Sequence, residues 1–450
     1  MSSEIDQKDP DGFPSDDAIR NILSKRVGKQ TGLAIAIGVI KDSQRRVFAH
    51  GQLSRHDTRT PNENTVFEVG SITKVFTAMV LADMVKNGEA SLGDAVQDYL
   101  PPGVCVPRRN GRIITLVDLC THMSGLPRMP SNFAQQAKDS ADPYSTYTVD
   151  HLYQFLATHE LARDIGSAFE YSNLGAGLLG HALSRRAGVD YATLVQNKIS
   201  TPLGLDSTAV ALSPDQGKRL APGHNATFEP TAYWNLGEAF AGAGALRSTV
   251  NDQLTLLEFM LEERQSSFNF SVHDLLAVRR DTRTPALSMA LGWMVHSTRN
   301  GDVVAHEGAT AGFRAFVGFS REKKFGLVLL SNAAREVGDI GMHLLDPSIS
   351  LKTPSKQRQE ISLPPSTLNT YKGRYRLRPE FILTITTEDN RLFAQATGQS
   401  KAEIYAESEH FFFSKVVDAQ FTFEIGVDGT AILLTLHQNG RDIPGTRIEE

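Results

Sequence analysis

Two apolar runs of strand length, residues 33–40 and 325–331, lie at opposite ends of a long central stretch of the chain. Each has a companion beside it. Residues 47–51 follow the first across polar 41–46, and residues 313–319 precede the second. β-Branched and aromatic runs set around short polar turns read as hairpins, buried on at least one face. Between the two pairs the apolar period changes to that of helices. Helical patterns lie at 71–87, 115–122, 149–158, 174–187 and 249–263, and an earlier one at 16–26 carries Ile19, Ile22 and Leu23 on one face with Asp16 or Asp17 as its cap. The pattern at 71–87 is expected to be strongly amphipathic, through Val75, Phe76, Met79, Val80, Ala82 and Met84. A chain with strands at both ends and helices between them closes into one antiparallel sheet with helices laid on it. The expected fold class is α+β.

The pattern changes once more near the C-terminus. Ser350, Lys352, Thr353, Pro354, Ser355, Lys356, Pro364, Pro365 and Ser366 have the composition of an exposed linker over 350–366. Seven short alternating runs follow, at 371–377, 382–386, 392–397, 403–406, 411–413, 420–425 and 431–437. Glu388-Asp-Asn390, Thr397-Gly398, Asp428-Gly429 and Asn439-Gly440 punctuate them as turns. Evenly spaced short strands make a small barrel or sandwich. The expected domains are therefore 1–349, a linker over 350–366, and a β-domain over 367–450. Phe411, Phe412, Phe413, Phe421 and Phe423 suit a core or an interface, which leaves a homo-oligomer open.

Charge removes several functions. The chain has 46 Lys plus Arg against 51 Asp plus Glu, a net charge of −5. A nucleic-acid binder needs a basic footprint to displace counterions, so that partner is excluded. No apolar stretch reaches the ~18 residues that span a bilayer, so no membrane partner is expected. Glu4, Asp6, Asp9 and Asp11 give the N-terminus the wrong charge for a secretory leader, and the expected location is the cytoplasm. Cys105 and Cys120 are too few for a disulfide framework or a Cys-rich zinc site, and both are expected to be free and buried.

Chemistry enters at Gly70-Ser71-Ile72-Thr73-Lys74. Ser71 and Lys74 stand three apart, so on a helix they share a face. A serine hydroxyl becomes a nucleophile when a neighbouring base takes its proton, and a lysine is such a base once burial and nearby cations depress its pKa. Ser-x-x-Lys alone recurs by chance in a chain this long. A second element, Glu170-Tyr171-Ser172-Asn173-Leu174-Gly175, lies about a hundred residues on. Its phenol, held near two cations, would lose its proton as base and return it as acid, and the Asn173 amide can hold a substrate carbonyl and Lys74 together. A third, Val303-Val304-Ala305-His306-Glu307-Gly308-Ala309, puts one histidine on an apolar strand ahead of small residues that admit a close approach to the backbone. No Gly-x-Ser-x-Gly elbow supports an α/β-hydrolase instead.

Order and spacing together resemble the penicillin-recognising serine hydrolases, in particular the class C β-lactamase-like branch with its family VIII carboxylesterases and D-aminopeptidases. Phe67-Glu-Val-Gly-Ser-Ile-Thr-Lys74, Leu119-Cys-Thr-His-Met-Ser-Gly-Leu-Pro127 and Ala241-Gly-Ala-Gly-Ala-Leu-Arg-Ser-Thr249 are similar to that branch as well, over roughly residues 20–345. The C-terminal segment resembles the lipocalin-like barrel appended to some of these enzymes. The resemblance implies Ser71 as nucleophile, Lys74 as its base, Tyr171 as second acid/base group, and Asn173, His306 and Gly308 as substrate-binding positions. The N–H groups of Ser71 and Ala309 would form the oxyanion hole, and His122 would be structural. His306 stands where true β-lactamases carry the lysine of Lys-Thr-Gly. No metal and no cofactor is implied. The expected function is hydrolysis of a small-molecule ester, amide or β-lactam through an acyl-enzyme, with small esters first and β-lactams weakly turned over. A D-amino-acid peptidase, an acyltransferase and a non-catalytic ligand sensor are the alternatives.

Overall fold

A computed structural model describes residues 14–448 except 29, 31, 140, 353–357, 400, 418 and 439–440. The turn read at Asn439-Gly440, most of the acidic N-terminus and the centre of the linker lie outside the described residues.

The strand runs from the two chain ends do pair. β1 (Ala34–Lys41) lies between β2 (Gln44–Gly51) and β10 (Phe325–Ser331), with Ile37 opposite Phe48 on one side and Leu329 on the other. β9 (Arg314–Ser320) and β8 (Gly301–Ala309) continue the antiparallel sheet. Three short strands complete an eight-stranded order, β7 (Met294–Thr298), β6 (Leu287–Met289) and β5 (Arg280–Asp281). Both faces of the central strands are covered, and the period of two sorts their side chains. Ile35, Ile37 and Val39 join Ile19, Ile22, Ile340 and Leu344 of the helices Asp16–Val27 and Gly338–Leu345. Ala34, Ala36 and Ile40 face the larger, helical side. Each fully buried Ile or Leu there stabilises the fold by about 1.5–3 kcal/mol relative to exposure.

The helix Thr73–Lys86 departs from the expected amphipathic pattern: every residue from Thr73 to Met84 is buried. The helices Asn173–Ala187, Ala241–Gly244, Tyr191–Val195 and Val272–Ala277 pack around it. A helix enclosed all round is a rigid mount for whatever sits at its end. A two-stranded ribbon lies just before it, β3 (Phe67–Glu68) on β4 (Arg247–Ser248). Inside this ribbon the buried pair Glu68–Arg247 also holds the Trp234 backbone N–H and C=O.

The C-terminal strands close into a barrel of eight, from β11 (Gly373–Arg378) through β12 (Phe381–Glu388), β13 (Arg391–Ala396), β14 (Ala402–Ala406), β15 (Phe411–Ser414), β16 (Ala419–Ile425) and β17 (Ala431–Gln438) to β18 (Arg441–Ile448). The eighth strand is missing from the seven alternating runs because Arg441–Ile448 carries Pro444 and Gly445 and little apolar alternation. Its hydrogen bonds to β17 and β11 form the closure. Tyr371, Tyr375, Phe412 and Phe423 fill the interior, with the Tyr371 ring 5.0 Å from Phe412 and 4.7 Å from Phe423. A helix, Pro365–Thr370, begins inside the stretch read as linker. One cysteine reading also changes: Cys120 is buried, whereas Cys105 is exposed, in a segment without a strand or helix to cover it.

Candidate active site

Ser71 sits in a 3-10 turn, Gly70–Ile72, that leads from β3 into the buried helix. Lys74 follows one turn later and is 4% exposed. Its Nζ lies 2.9 Å from Ser71 Oγ, 3.0 Å from Asn173 Oδ1 and 2.7 Å from the Ala243 carbonyl oxygen. Two of these partners can only accept. A neutral amine satisfies both with its two N–H groups and turns its lone pair to the third, the serine hydroxyl. The electrostatics agree, since burial holds Lys74 well below the ordinary lysine range and the charge of Arg128 lowers it further.

Tyr171 closes the other side. Its hydroxyl hydrogen-bonds Ser71, the Lys74 Nζ stands 4.9 Å from its ring centre, and the Arg128 guanidinium stands 5.3 Å from it. Two basic side chains thus flank the phenol, as the sequence reading requires, though it does not name Arg128. They do not acidify the phenol: burial pushes Tyr171 up to about 12, beyond what the Ser71 bond and Arg128 pull back. The phenol thus keeps its proton beside a lysine whose charge burial disfavours. Asn173 opens its helix behind Ser172, whose hydroxyl accepts from the Gly175 N–H and donates to the Pro127 carbonyl.

β8 forms the facing wall. Gly308 and Gly70 let it approach the Ser71 turn, and neither position has room for a side chain. A Cβ on Gly308 would lie 1.9 Å from the Val69 carbonyl oxygen, and one on Gly70 2.7 Å from the Ala309 nitrogen. Gly70 also has φ +49, a conformation that other residues seldom adopt. The N–H groups of Ser71 and Ala309 consequently stand at one junction. His306, two residues before Gly308, is 2% exposed. Its Nδ1 donates to the Glu307 carbonyl at 2.8 Å, and its buried Nε2 has no hydrogen-bond partner. Burial and then Lys74 drive its pKa down to about 3, so the ring is neutral. Ser71, Lys74, Tyr171, Asn173, His306, Gly308 and Ala309 therefore meet in one place.

Two neighbours carry more than the sequence suggests. His122, read as structural, packs its ring 4.6 Å from that of Tyr171 and accepts the Ser172 N–H on Nδ1 at 3.2 Å. It does so from a buried backbone at φ +58, a strained value for a non-glycine residue. Arg128 is absent from the sequence reading, although it directly follows Gly125-Leu-Pro127. Its signal was its place, one residue beyond a quoted motif. Among the described residues no cluster of His, Cys, Asp and Glu could hold a metal ion.

Comparison with known proteins follows the same outline. A family described as Beta-lactamase matches residues 19–344, and a Domain of unknown function (DUF3471) matches residues 357–447. The chain is 29% identical over 310 residues to the D-alanyl-D-alanine-carboxypeptidase/endopeptidase AmpH of Escherichia coli (strain K12), covering 66% of this chain and 78% of that one. Penicillin-binding protein 4* of Bacillus subtilis (strain 168) is 23% identical over 425 residues, covering 89% of this chain and 91% of its own. Among solved structures, a beta-lactamase/D-alanine carboxypeptidase from Yersinia pestis superposes with a TM-score of 0.59 at 23% identity, over 71% of this chain and 94% of that one, a likeness of fold.

Proposed function

We propose, from the premise that this chain belongs to the beta-lactamase family, that it is a serine hydrolase forming its acyl-enzyme on Ser71. Neutral Lys74 takes the Ser71 proton as Oγ attacks the substrate carbonyl. Negative charge then develops on the carbonyl oxygen beside the Ser71 and Ala309 N–H groups, preorganised donors that need no reorganisation at that moment. Tyr171 gives its proton to the leaving group and regains one from the Lys74 ammonium, which returns both groups to their starting states. Water enters where the leaving group departed and releases the acyl group by the same exchange in reverse. The observation that carries this reading is the buried Lys74 Nζ, 2.9 Å from Ser71 Oγ and held by Asn173 Oδ1 and the Ala243 carbonyl.

Small esters are the proposed substrates, with weak turnover of β-lactams. A penicillin or cephalosporin carries a carboxylate, and the neutral His306 offers it no charge. A neutral ester asks for none. The carboxypeptidase activity in the name of the AmpH relative favours a second reading, cleavage of a peptide ending in a D-amino acid. Purified protein presented with a chromogenic ester, a cephalosporin and a D-aminoacyl anilide separates the two. An organophosphonate should add once, on Ser71, and Ser71→Ala should lose several orders of magnitude in turnover. An adduct on another residue, or full activity without an adduct, excludes the mechanism.

A further inference from the structure

Arg128 stands at the mouth of this site on a backbone that cannot drift. Its carbonyl accepts the N–H groups of Asn173 at 3.0 Å and Leu174 at 3.2 Å, and the neighbouring Pro127 carbonyl accepts the Ser172 hydroxyl at 2.7 Å. The side chain itself is exposed, with its guanidinium over the Tyr171 ring. Glu170, which precedes Tyr171 in the chain, is paired with Arg163 instead. Among the described residues no carboxylate forms an ion pair with Arg128. An ordinary surface arginine spreads its stem over the fold and leaves its charge in water. This one holds its charge against the ring whose hydroxyl bonds the nucleophile.

The leaving group must depart toward its proton donor. That donor is Tyr171, so a substituent on the departing half is carried toward Arg128. The opposite wall offers no charge, because His306 is neutral. We propose that Arg128 binds a carboxylate on the leaving group, so that the cleft prefers esters or amides whose departing half carries a carboxylate toward residues 127–129. The inference rests on the acyl-enzyme reading. In that step the bond from Ser71 Oγ to the acyl carbon forms, the bond from the acyl carbon to the leaving oxygen or nitrogen breaks, and that atom takes the Tyr171 proton. Arg128 takes no part in these exchanges. A guanidinium suits the task through its planar fork, which pairs with both oxygens of a carboxylate. A rigid bicyclic β-lactam, whose carboxylate is fixed by the ring, need not reach it.

The test compares 3-acetoxybenzoate with its neutral methyl ester. Both give an acetyl group to Ser71, and only the first releases a carboxylate-bearing phenol. The ratio of their kcat/KM values is measured for the wild type, Arg128→Gln and Arg128→Lys, so that the intrinsic reactivities of the two esters cancel. The expected result is a ratio five- to tenfold lower in Arg128→Gln and largely restored in Arg128→Lys. The preference should also shrink between low and high salt, as an exposed charge pair does. A ratio unmoved by Arg128→Gln overturns the proposal. So does an equal loss on both esters, which would mean that Arg128 acts on Tyr171 and Lys74 rather than on substrate. Absence of turnover and of a phosphonate adduct in the wild type would instead fail the acyl-enzyme reading, and the inference with it.

Discussion

Burial favours the neutral form of both Lys74 and Tyr171, and this has measurable consequences. The proposed mechanism needs Lys74 neutral, so kcat/KM should fall as pH drops through its lowered pKa. In the same proposal Tyr171 is the acid, and it keeps its proton until about 12. The profile should therefore show an acid limb alone and stay flat from neutrality to about pH 10. A bell-shaped profile with a limb near pH 8 would contradict this assignment. Stability follows the same group with a definite sign. The unfolded lysine titrates near ~10.4 and the folded one lower, so between those values the unfolded chain binds more protons, and stability rises with pH. Lys74→Met removes this cost and should raise Tm, more at pH 6 than at pH 9, while abolishing turnover. Calorimetry of both proteins at the two pH values checks it. His306 supports a separate prediction. His306→Lys should improve cephalosporin turnover relative to ester turnover by about tenfold, equivalent to ~1.4 kcal/mol in the transition state. If the Nε2 atom that now lacks a partner instead accepts a hydrogen bond from either substrate, both activities would fall together and the ratio would not move.

The elements set these residues with little freedom. Ser71 lies between a two-stranded ribbon and an enclosed helix, and β8 reaches it only because Gly308 and Gly70 carry no side chain. Gly308→Ala would put a methyl group 1.9 Å from the Val69 carbonyl oxygen, so β8 must withdraw. The expected effect is a 10²–10³-fold loss in kcat, the scale of a lost oxyanion donor, with KM for a small ester little changed. Normal kcat in a folded Gly308→Ala protein would place the oxyanion site elsewhere. This arrangement was only partly legible in the sequence. Ser71, Lys74, Tyr171 and Asn173 belong to short motifs whose spacing the chain displays directly. The 3-10 turn before the helix does not announce itself, because Gly70-Ser71-Ile72 is compatible with either kind of turn. Arg128 and the contact of His122 with Tyr171 depend on the packing of two loops about fifty residues apart, His122 and Ser172 among them. Periodicity carries no signal for such a contact. The enclosed helix was misread for a related reason, since Thr73, Thr77 and Asp83 are polar by type and yet buried. Thr77 finds its partners on Tyr191 and the Gly242 carbonyl, both remote in sequence.

At the scale of the molecule, the apolar runs at the chain ends determine the sheet, because each had to find a partner that could cover it on both edges. The strands that escaped notice, Arg280–Asp281, Leu287–Met289 and Met294–Thr298, are short and half exposed at the sheet's far edge, where little hydrophobic pattern is required. The barrel was legible as a type because its interior residues alternate, and its own core of Tyr371, Tyr375, Phe412 and Phe423 needs nothing from the rest of the chain. Among the described residues, the Ala226 N–H ties it to the sheet-bearing body by donating to the Lys415 carbonyl at 3.1 Å. The turn at Gly398 comes near the Met129 carbonyl oxygen, with room left for a methyl group. Met129 in turn has its sulfur 3.9 Å from the Asn173 amide nitrogen. The turn at Gly398 thus lies near the loop that carries Arg128. A chain ending after Lys352 would keep the whole eight-stranded sheet and the Lys352 N–H bond to Asp339. It should fold, label Ser71 with the phosphonate, and turn over a small neutral ester within about tenfold of the full chain, the scale of one weakened loop contact. Its preference for an anionic leaving group should survive, because the bonds of Asn173 and Leu174 to the Arg128 carbonyl lie within the part that remains. Circular dichroism and phosphonate labelling of the shortened chain decide the matter: a folded sheet that no longer labels at Ser71 would mean that the barrel completes the catalytic site.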